Sequence, residues 1–207
     1  MHFNKSIVDI IRHRQSIRTY STEKLPKEVK ASLKECASTL QGPFDVKIRM
    51  ELVDAVNLEH KTGGKIGTYG VIRGAKSFVA GIVPKEAHAL EQLGYSMEKL
   101  MLYAASMGLG SCWLGGTFNR GQFAELVKLK EGEIIPAVTP IGYAADKRAI
   151  VDSIMRKLAG SNNRKPWNEL FFHKSFDAPL TEEEAGQYMA ALEMIRLSPS
   201  ASNKQPW

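Results

Sequence analysis

The chain has 207 residues, 43% of them hydrophobic, with 28 Lys+Arg against 22 Asp+Glu for a formal charge of +6. That is enough apolar material for a sizeable core, one compact domain being the default and two small ones the alternative. The basic residues are scattered, with no long Lys/Arg run and no aromatic interleaving, so a site for an anionic small molecule explains the surplus as well as nucleic acid does. Cys36 and Cys112 lack CxxC spacing and indicate neither a disulfide framework nor a zinc site; buried free thiols in a reducing compartment are expected. No signal-peptide stretch opens the chain, and its longest apolar run, Phe78 to Val83, is far too short to span a bilayer. A soluble cytoplasmic protein with no membrane partner is the expectation.

Ser6 caps a helix carrying Ile7, Ile10 and Ile11 on one face. It runs into Arg14-Gln15-Ser16-Ile17-Arg18, where Arg14, Ser16 and Arg18 would project to one side of an extended segment. Two guanidinium groups and a hydroxyl on one face can clamp a phosphate, although the same string also suits a solvated basic face. Pro26 opens a helix to about Leu40 with Val29, Leu33, Cys36, Ala37 and Leu40 on its buried stripe. Val46 to Leu52 alternates apolar and charged residues, the pattern of a half-buried antiparallel strand with one wet face. Lys61 to Gly74 is glycine-rich but lacks the Gly-Lys-Ser/Thr of a P-loop, and reads as a loop beside a ligand or a plain surface loop, with Thr68 and Tyr69 as candidate contacts. Phe78 to Val83 is a short buried strand.

Ala87 to Met107 is the strongest helix, its stripe of Leu90, Leu93, Met97, Leu100, Met101 and Ala104 marking a core element that ends at Gly108. Gly108-Leu109-Gly110 is no dinucleotide fingerprint, because the third glycine is misplaced and no strand precedes it. Gly115-Gly116 offers bare backbone N–H groups that a flat ring could approach. Phe123 to Leu129 predicts a short helix. Ile135 to Tyr143 predicts a strand which, interrupted by Pro136 and Pro140, should be an edge or irregular one. Ala149 to Leu158 predicts a helix, and Arg164-Lys165 is a basic pair in a loop. Glu183 to Leu197 predicts a last helix with Tyr188, Ala191, Leu192 and Ile195 at helical spacing, ended by Pro199. Ser198 to Trp207 then gathers small polar residues able to hydrogen-bond a heterocycle edge, or simply to form a turn. The segment from Leu25 echoes that from Leu180, each a helix and a turn, which suggests an internal duplication. The five histidines have no metal-ligand spacing.

Four separated stretches together resemble the nitroreductase family of flavoenzymes: Arg14-Gln15-Ser16-Ile17-Arg18, the Gly108 to Gly116 segment, Arg164-Lys165-Pro166, and Pro199-Ser200-Ala201-Ser202-Asn203-Lys204-Gln205-Pro206-Trp207. The resemblance implies an α+β fold, a mixed and mainly antiparallel sheet flanked by helices, with an internal pseudo-two-fold duplication. In the common family pattern the P-S-x-x-N-x-Q-P-W segment comes early; here it comes last, as in a subgroup where two half-units are fused. Residues 1–207 would then be a single domain with its second half-unit beginning near residue 178, a monomer acting as a pseudo-dimer, and a C-terminus truncated relative to the family.

The family implies noncovalently bound FMN that takes a hydride at N5 from NADH or NADPH and passes electrons to a nitro compound, quinone or flavin. Carried over by motif, Arg14, Gln15, Ser16, Arg18, Arg164 and Lys165 belong to the cofactor site, with the arginines, Ser16 and Lys165 on the phosphate. Pro199, Ser200, Ala201 and Asn203 would line the pyrimidine and dimethylbenzene side, and backbone at Leu114, Gly115 and Gly116 would face N5. No side chain need act as acid or base, so no catalytic residue is assigned. The rivals are a non-catalytic flavin-binding protein for storage or sensing, and a basic nucleic-acid-binding module.

Overall fold

A computed structural model describes residues 3–54, 67–145 and 163–207. The expected helix Ala149 to Leu158 and residues 61–66 of the glycine-rich stretch lie outside the described residues. The chain divides into two compact units, Met1–Lys5 with Arg14–Arg148, and Ser6–His13 with Ala149–Trp207.

The first unit is built on β1 (Arg49–Asp54), β2 (Ser77–Pro84), β3 (Gly110–Ser111) and β4 (Glu133–Gly142), ordered β1-β2-β4-β3 with every neighbouring pair antiparallel. β2 is buried from Ser77 to Val83 because both of its faces carry apolar side chains. Successive strand residues point to opposite faces. Phe78, Ala80 and Ile82 accordingly pack with Phe118, Phe123 and Val138 in one cluster. Val79 packs in another cluster with Leu33, Cys36 and Leu100, and Val83 in a third with Leu93, Met97 and Met101.

Two helices carry those last clusters. α2 (Lys27–Thr39) follows Pro26 as expected, burying Leu33 and Cys36. α3 (Ala89–Ser106) buries Leu93, Met97, Leu100, Met101 and Ala104, each large apolar side chain so removed from water contributing about 1.5–3 kcal/mol. Leu90 departs from the expected stripe and is 58% exposed, one residue into the first turn. Gly81 lets α3 approach closely, since a Cβ there would lie 2.6 Å from Leu93 Cδ1. The helix closes in a Schellman turn: Leu109 N–H donates to Ala104 O and Gly108 N–H to Ala105 O, with Gly108 at φ +79°. The short α4 (Arg120–Leu126) is capped by the Asn119 side chain, which accepts from Gln122 N.

β1 starts three residues later than the Val46 to Leu52 pattern predicts, although Val46 and Ile48 still pack against the Val83 cluster. The larger correction concerns β4. Its two prolines suggested an edge or irregular strand; β4 is irregular, as its register shift shows, but it is not an edge, since it lies between β2 and β3. Pro136 falls where the β2 register shifts, Gly81 opposing Ala137 while Val83 opposes Ile134, so β4 carries one extra residue there. Pro140 sits where the other ladder is broken. Between the Ser111–Ile141 pair and the Leu114–Val138 bridge, the Cys112 N–H donates to the Thr139 hydroxyl at 3.2 Å. Neither missing N–H is therefore demanded by a neighbouring strand.

The second unit holds α1 (Ile7–His13), α5 (Glu182–Ala185) and α6 (Met189–Leu197), with short 3-10 turns at Trp167–Glu169, Gly186–Tyr188 and Ala201–Asn203. α1 packs against α6, and Ile10 is buried. The single helix expected from Glu183 to Leu197 is broken at Gly186, whose φ of +50° and ψ of −122° no helix admits. Thr181 and Glu184 form a reciprocal capping box that starts α5, and Ser198, extended before Pro199, ends α6. Tyr188 and Ile195 of the expected stripe are exposed, at 64% and 41%.

Candidate functional site

Arg14, Gln15, Ser16, Arg18, Leu114, Gly115 and Gly116 belong to the first unit, whereas Arg164, Lys165, Pro199, Ser200, Ala201 and Asn203 belong to the second.

In the first unit the arginine segment runs alongside β3. Ser16 bridges Ser111 in parallel, Ile17 N–H donates to Ser111 O at 2.9 Å, and Arg18 O accepts from Arg73 N at 2.8 Å. Gly110 makes the close approach possible, because a Cβ there would lie 2.7 Å from Ile17 Cγ1. Arg14 has only 8% of its side chain exposed and pairs through Nε with Glu98 Oε1 at 3.2 Å. Its Nη1 is buried and has no partner among the described residues. A buried guanidinium N–H left unmatched is costly, so this nitrogen has the capacity to donate to a further acceptor. Arg18 is half-buried, and Gln15 is exposed.

The turn after β3 divides sharply. Leu114 is buried, and both its backbone groups are exchanged with Val138 at 3.0 Å, so its N–H is committed to the sheet. Gly115 and Gly116 are exposed, and a Cβ built on either would meet nothing within 4 Å. Gly115 O accepts from Arg120 Nη2 at 2.8 Å, and the Arg120 guanidinium lies over the Phe118 ring. Trp113, just before the turn, donates from Nε1 to Glu98 Oε2 at 2.6 Å. Thr68 is buried and Tyr69 is 71% exposed.

In the second unit the two expected loops are tied to each other. Arg164 donates from Nη1 to Asn203 Oδ1 at 2.9 Å and from Nη2 to Leu197 O at 3.0 Å. Asn203 Nδ2 donates to Asn163 O at 2.8 Å, and Lys165 N–H donates to Gln205 Oε1 at 2.9 Å. Ser200 Oγ accepts from Gln205 N at 3.0 Å. Ser202, Asn203 and Gln205 all have φ between 50° and 55°, a left-handed conformation that costs energy in non-glycine residues and is held here by these bonds. Arg164, which the resemblance assigned to the phosphate, thus gives both terminal nitrogens to the terminal loop. The Lys165 and Ala201 side chains are exposed, and Pro199 is half-buried. Beside this loop, Glu193 accepts from Arg196 and Trp167, and the Arg196 bonds foremost hold its carboxyl below the usual range despite burial.

Two residues of this arrangement carry no sequence assignment. Gln205 stands inside the quoted motif without a role, and its motif position was the available signal. Glu98 has no signal beyond being an acid one position from the buried Met97 of α3.

Residues 6–207 match the sequence family described as "Putative TM nitroreductase". The chain belongs to this nitroreductase family. Solved nitroreductases share the fold. A putative nitroreductase from Thermotoga maritima is 18% identical at a TM-score of 0.60, covering 100% of this chain and 72% of its own. Nitroreductase A from Vibrio parahaemolyticus is 17% identical at a TM-score of 0.60, covering 89% and 82%. A nitroreductase from Bacteroides fragilis, solved with bound FMN, is 19% identical at a TM-score of 0.56, covering 71% and 92%. No curated protein matches the chain. The mixed, antiparallel α+β architecture of this nitroreductase-family protein is the one its family resemblance implied, and family membership supports an oxidoreductase function. Among the described residues, no helix is long and apolar enough to cross a membrane.

Proposed function

We propose that this protein is an FMN-dependent oxidoreductase that draws electrons from NADH or NADPH and delivers them to a nitro compound, a quinone or another flavin. The observation that carries the reading is the buried Arg14 Nη1, which lacks a partner among the described residues. Arg14 and Arg18 bind the cofactor phosphate, with Ser16 between them adding a hydroxyl donor. Gly115 and Gly116 leave the space above the turn open for the face of a ring, and their N–H groups can donate to its edge. Leu114 contributes position only, its own N–H being spent on Val138. Pro199, Ser200, Ala201 and Asn203 are assigned to the ring by family resemblance, with Lys165 as a further cation for the phosphate. Arg164 is assigned to bracing the terminal loop. When bound, FMN supplies the two-electron carrier; the chain binds it, orients it and limits water around it.

The test is an absorption spectrum of the protein as isolated, followed by NAD(P)H oxidation with a quinone acceptor after FMN loading. A flavin band with turnover is expected. A flavin band without turnover favours a storage or sensing protein, and a colourless protein that refuses added FMN overturns the reading.

A further inference from the structure

We infer that Glu98 is a positioning residue that sets the phosphate-side arginine and the ring-side turn from one carboxylate; this rests on the FMN reading above. Glu98 stands in the middle of α3, beside Met97 and within a turn of Met101, both fully buried. It is therefore mounted on a firmly packed helix. Its two oxygens go to different segments: Oε1 takes Arg14 Nε at 3.2 Å, and Oε2 takes Trp113 Nε1 at 2.6 Å.

The way this ion pair and this hydrogen bond are divided argues against mere charge neutralisation. A carboxylate whose task is to balance a buried arginine is best served by two parallel bonds to the guanidinium fork. Glu98 gives Arg14 one oxygen and the Trp113 indole the other, while Arg14 Nη1 stays buried and without a partner among the described residues. Held by its Nε edge, the guanidinium keeps terminal nitrogens to offer. Trp113 precedes Leu114, whose backbone is locked to Val138, so indole and ladder together set the base of the Gly115–Gly116 turn. Trp113 also packs against the buried cluster that contains Val83, Leu93 and Met97. Displacing Glu98 would shift both ligand-facing segments at once.

The two limbs are separable experimentally. Wild type, Glu98→Gln and Trp113→Phe are titrated with FMN and with riboflavin, which lacks the phosphate, and the reduction potential of bound FMN is measured for each. Glu98→Gln keeps an acceptor for the indole but turns no charge toward Arg14. It should lower FMN affinity by about tenfold, leaving riboflavin affinity and the flavin potential near wild type. Trp113→Phe should do the reverse, shifting the potential and riboflavin affinity while FMN keeps its preference over riboflavin. A purely structural role moves unfolding temperature but not the FMN-to-riboflavin ratio. FMN binding to Glu98→Gln as tight as or tighter than to wild type overturns the inference, because it means that Glu98 only competes with the phosphate for Arg14. Wild type binding neither flavin instead sinks the FMN reading itself, so the two failures are distinguishable. The isosteric variant is used so that folding survives, which far-UV circular dichroism checks.

Discussion

As sequence, the Arg14 segment of the first unit and the Arg164 segment of the other are of one kind: arginine beside small polar residues, each in a short connecting stretch. Their surroundings differ fundamentally. Arg14 spends one nitrogen on Glu98 and keeps another buried and unmatched, beside a strand that Gly110 draws close. Arg164 gives both terminal nitrogens to Asn203 and Leu197, within a loop where Ser200, Asn203 and Gln205 satisfy one another. What the terminal guanidinium nitrogens touch therefore tells the two arginines apart, although residue type does not.

The largest expected effect falls on the poised side. Arg14→Ala with Arg18→Ala should weaken FMN by about a hundredfold or more, two charge-assisted bonds being worth roughly 1.5–3 kcal/mol each. The stabilisation that FMN gives wild type, about 2.7 kcal/mol at a hundredfold over Kd, should largely vanish in a thermal melt of the double variant. Unchanged FMN affinity would refute the phosphate assignment.

On the braced side, Arg164→Lys should behave like Arg164→Ala, since an ammonium cannot serve Asn203 and Leu197 in the fixed fork. Each should destabilise the second unit by about 1–3 kcal/mol in a urea titration and weaken FMN less than tenfold. A lysine that restored full FMN affinity would move Arg164 to the phosphate and erase the contrast.

Gly115→Ala sharpens the comparison differently. A Cβ there meets nothing within 4 Å, so stability should stay within about 0.5 kcal/mol while FMN affinity falls. Gly110→Ala, driven against Ile17, should cost about 1–3 kcal/mol even without ligand. Melting temperatures with and without FMN distinguish the pair.

The smallest effect is a control away from both loops. Arg49 grips Glu133 with two bonds of 3.0 and 2.8 Å and, as the main cause, lowers its carboxyl pKa from 4.5 to about 2. The stability this adds is complete above about pH 4.5 and is lost as pH falls through about 2. The urea midpoints of wild type and Glu133→Gln should therefore differ at neutral pH and converge in acid, with FMN affinity at neutral pH unaltered.

Features decided by local chemistry were legible in the sequence. The Leu33–Cys36 stripe, the C-terminal glycine of α3 and the stop before Pro199 each follow from spacing or backbone restriction over a few residues. What could not be read depends on partners far along the chain. Pro136 and Pro140 marked an edge or irregular strand without choosing between them, because nothing local reveals that one falls in a register shift and the other in a ladder gap. Gly186 sits in a helical pattern and gives no local sign that it takes a positive φ. The site followed the same rule. The motifs drew attention to Arg14 and the glycine pair, whereas nothing local marks Glu98, which meets Arg14 and Trp113 only because α3 brings it to them. Arg164 was legible as a cation and not as a brace, because Leu197 and Asn203 reach it only through the fold of the second unit.

That a buried arginine awaits the cofactor phosphate is tested most directly by a crystal structure of the protein with FMN. A phosphate oxygen is expected within about 3 Å of Arg14 Nη1. FMN bound with its phosphate elsewhere, and Nη1 still unmatched, would contradict it.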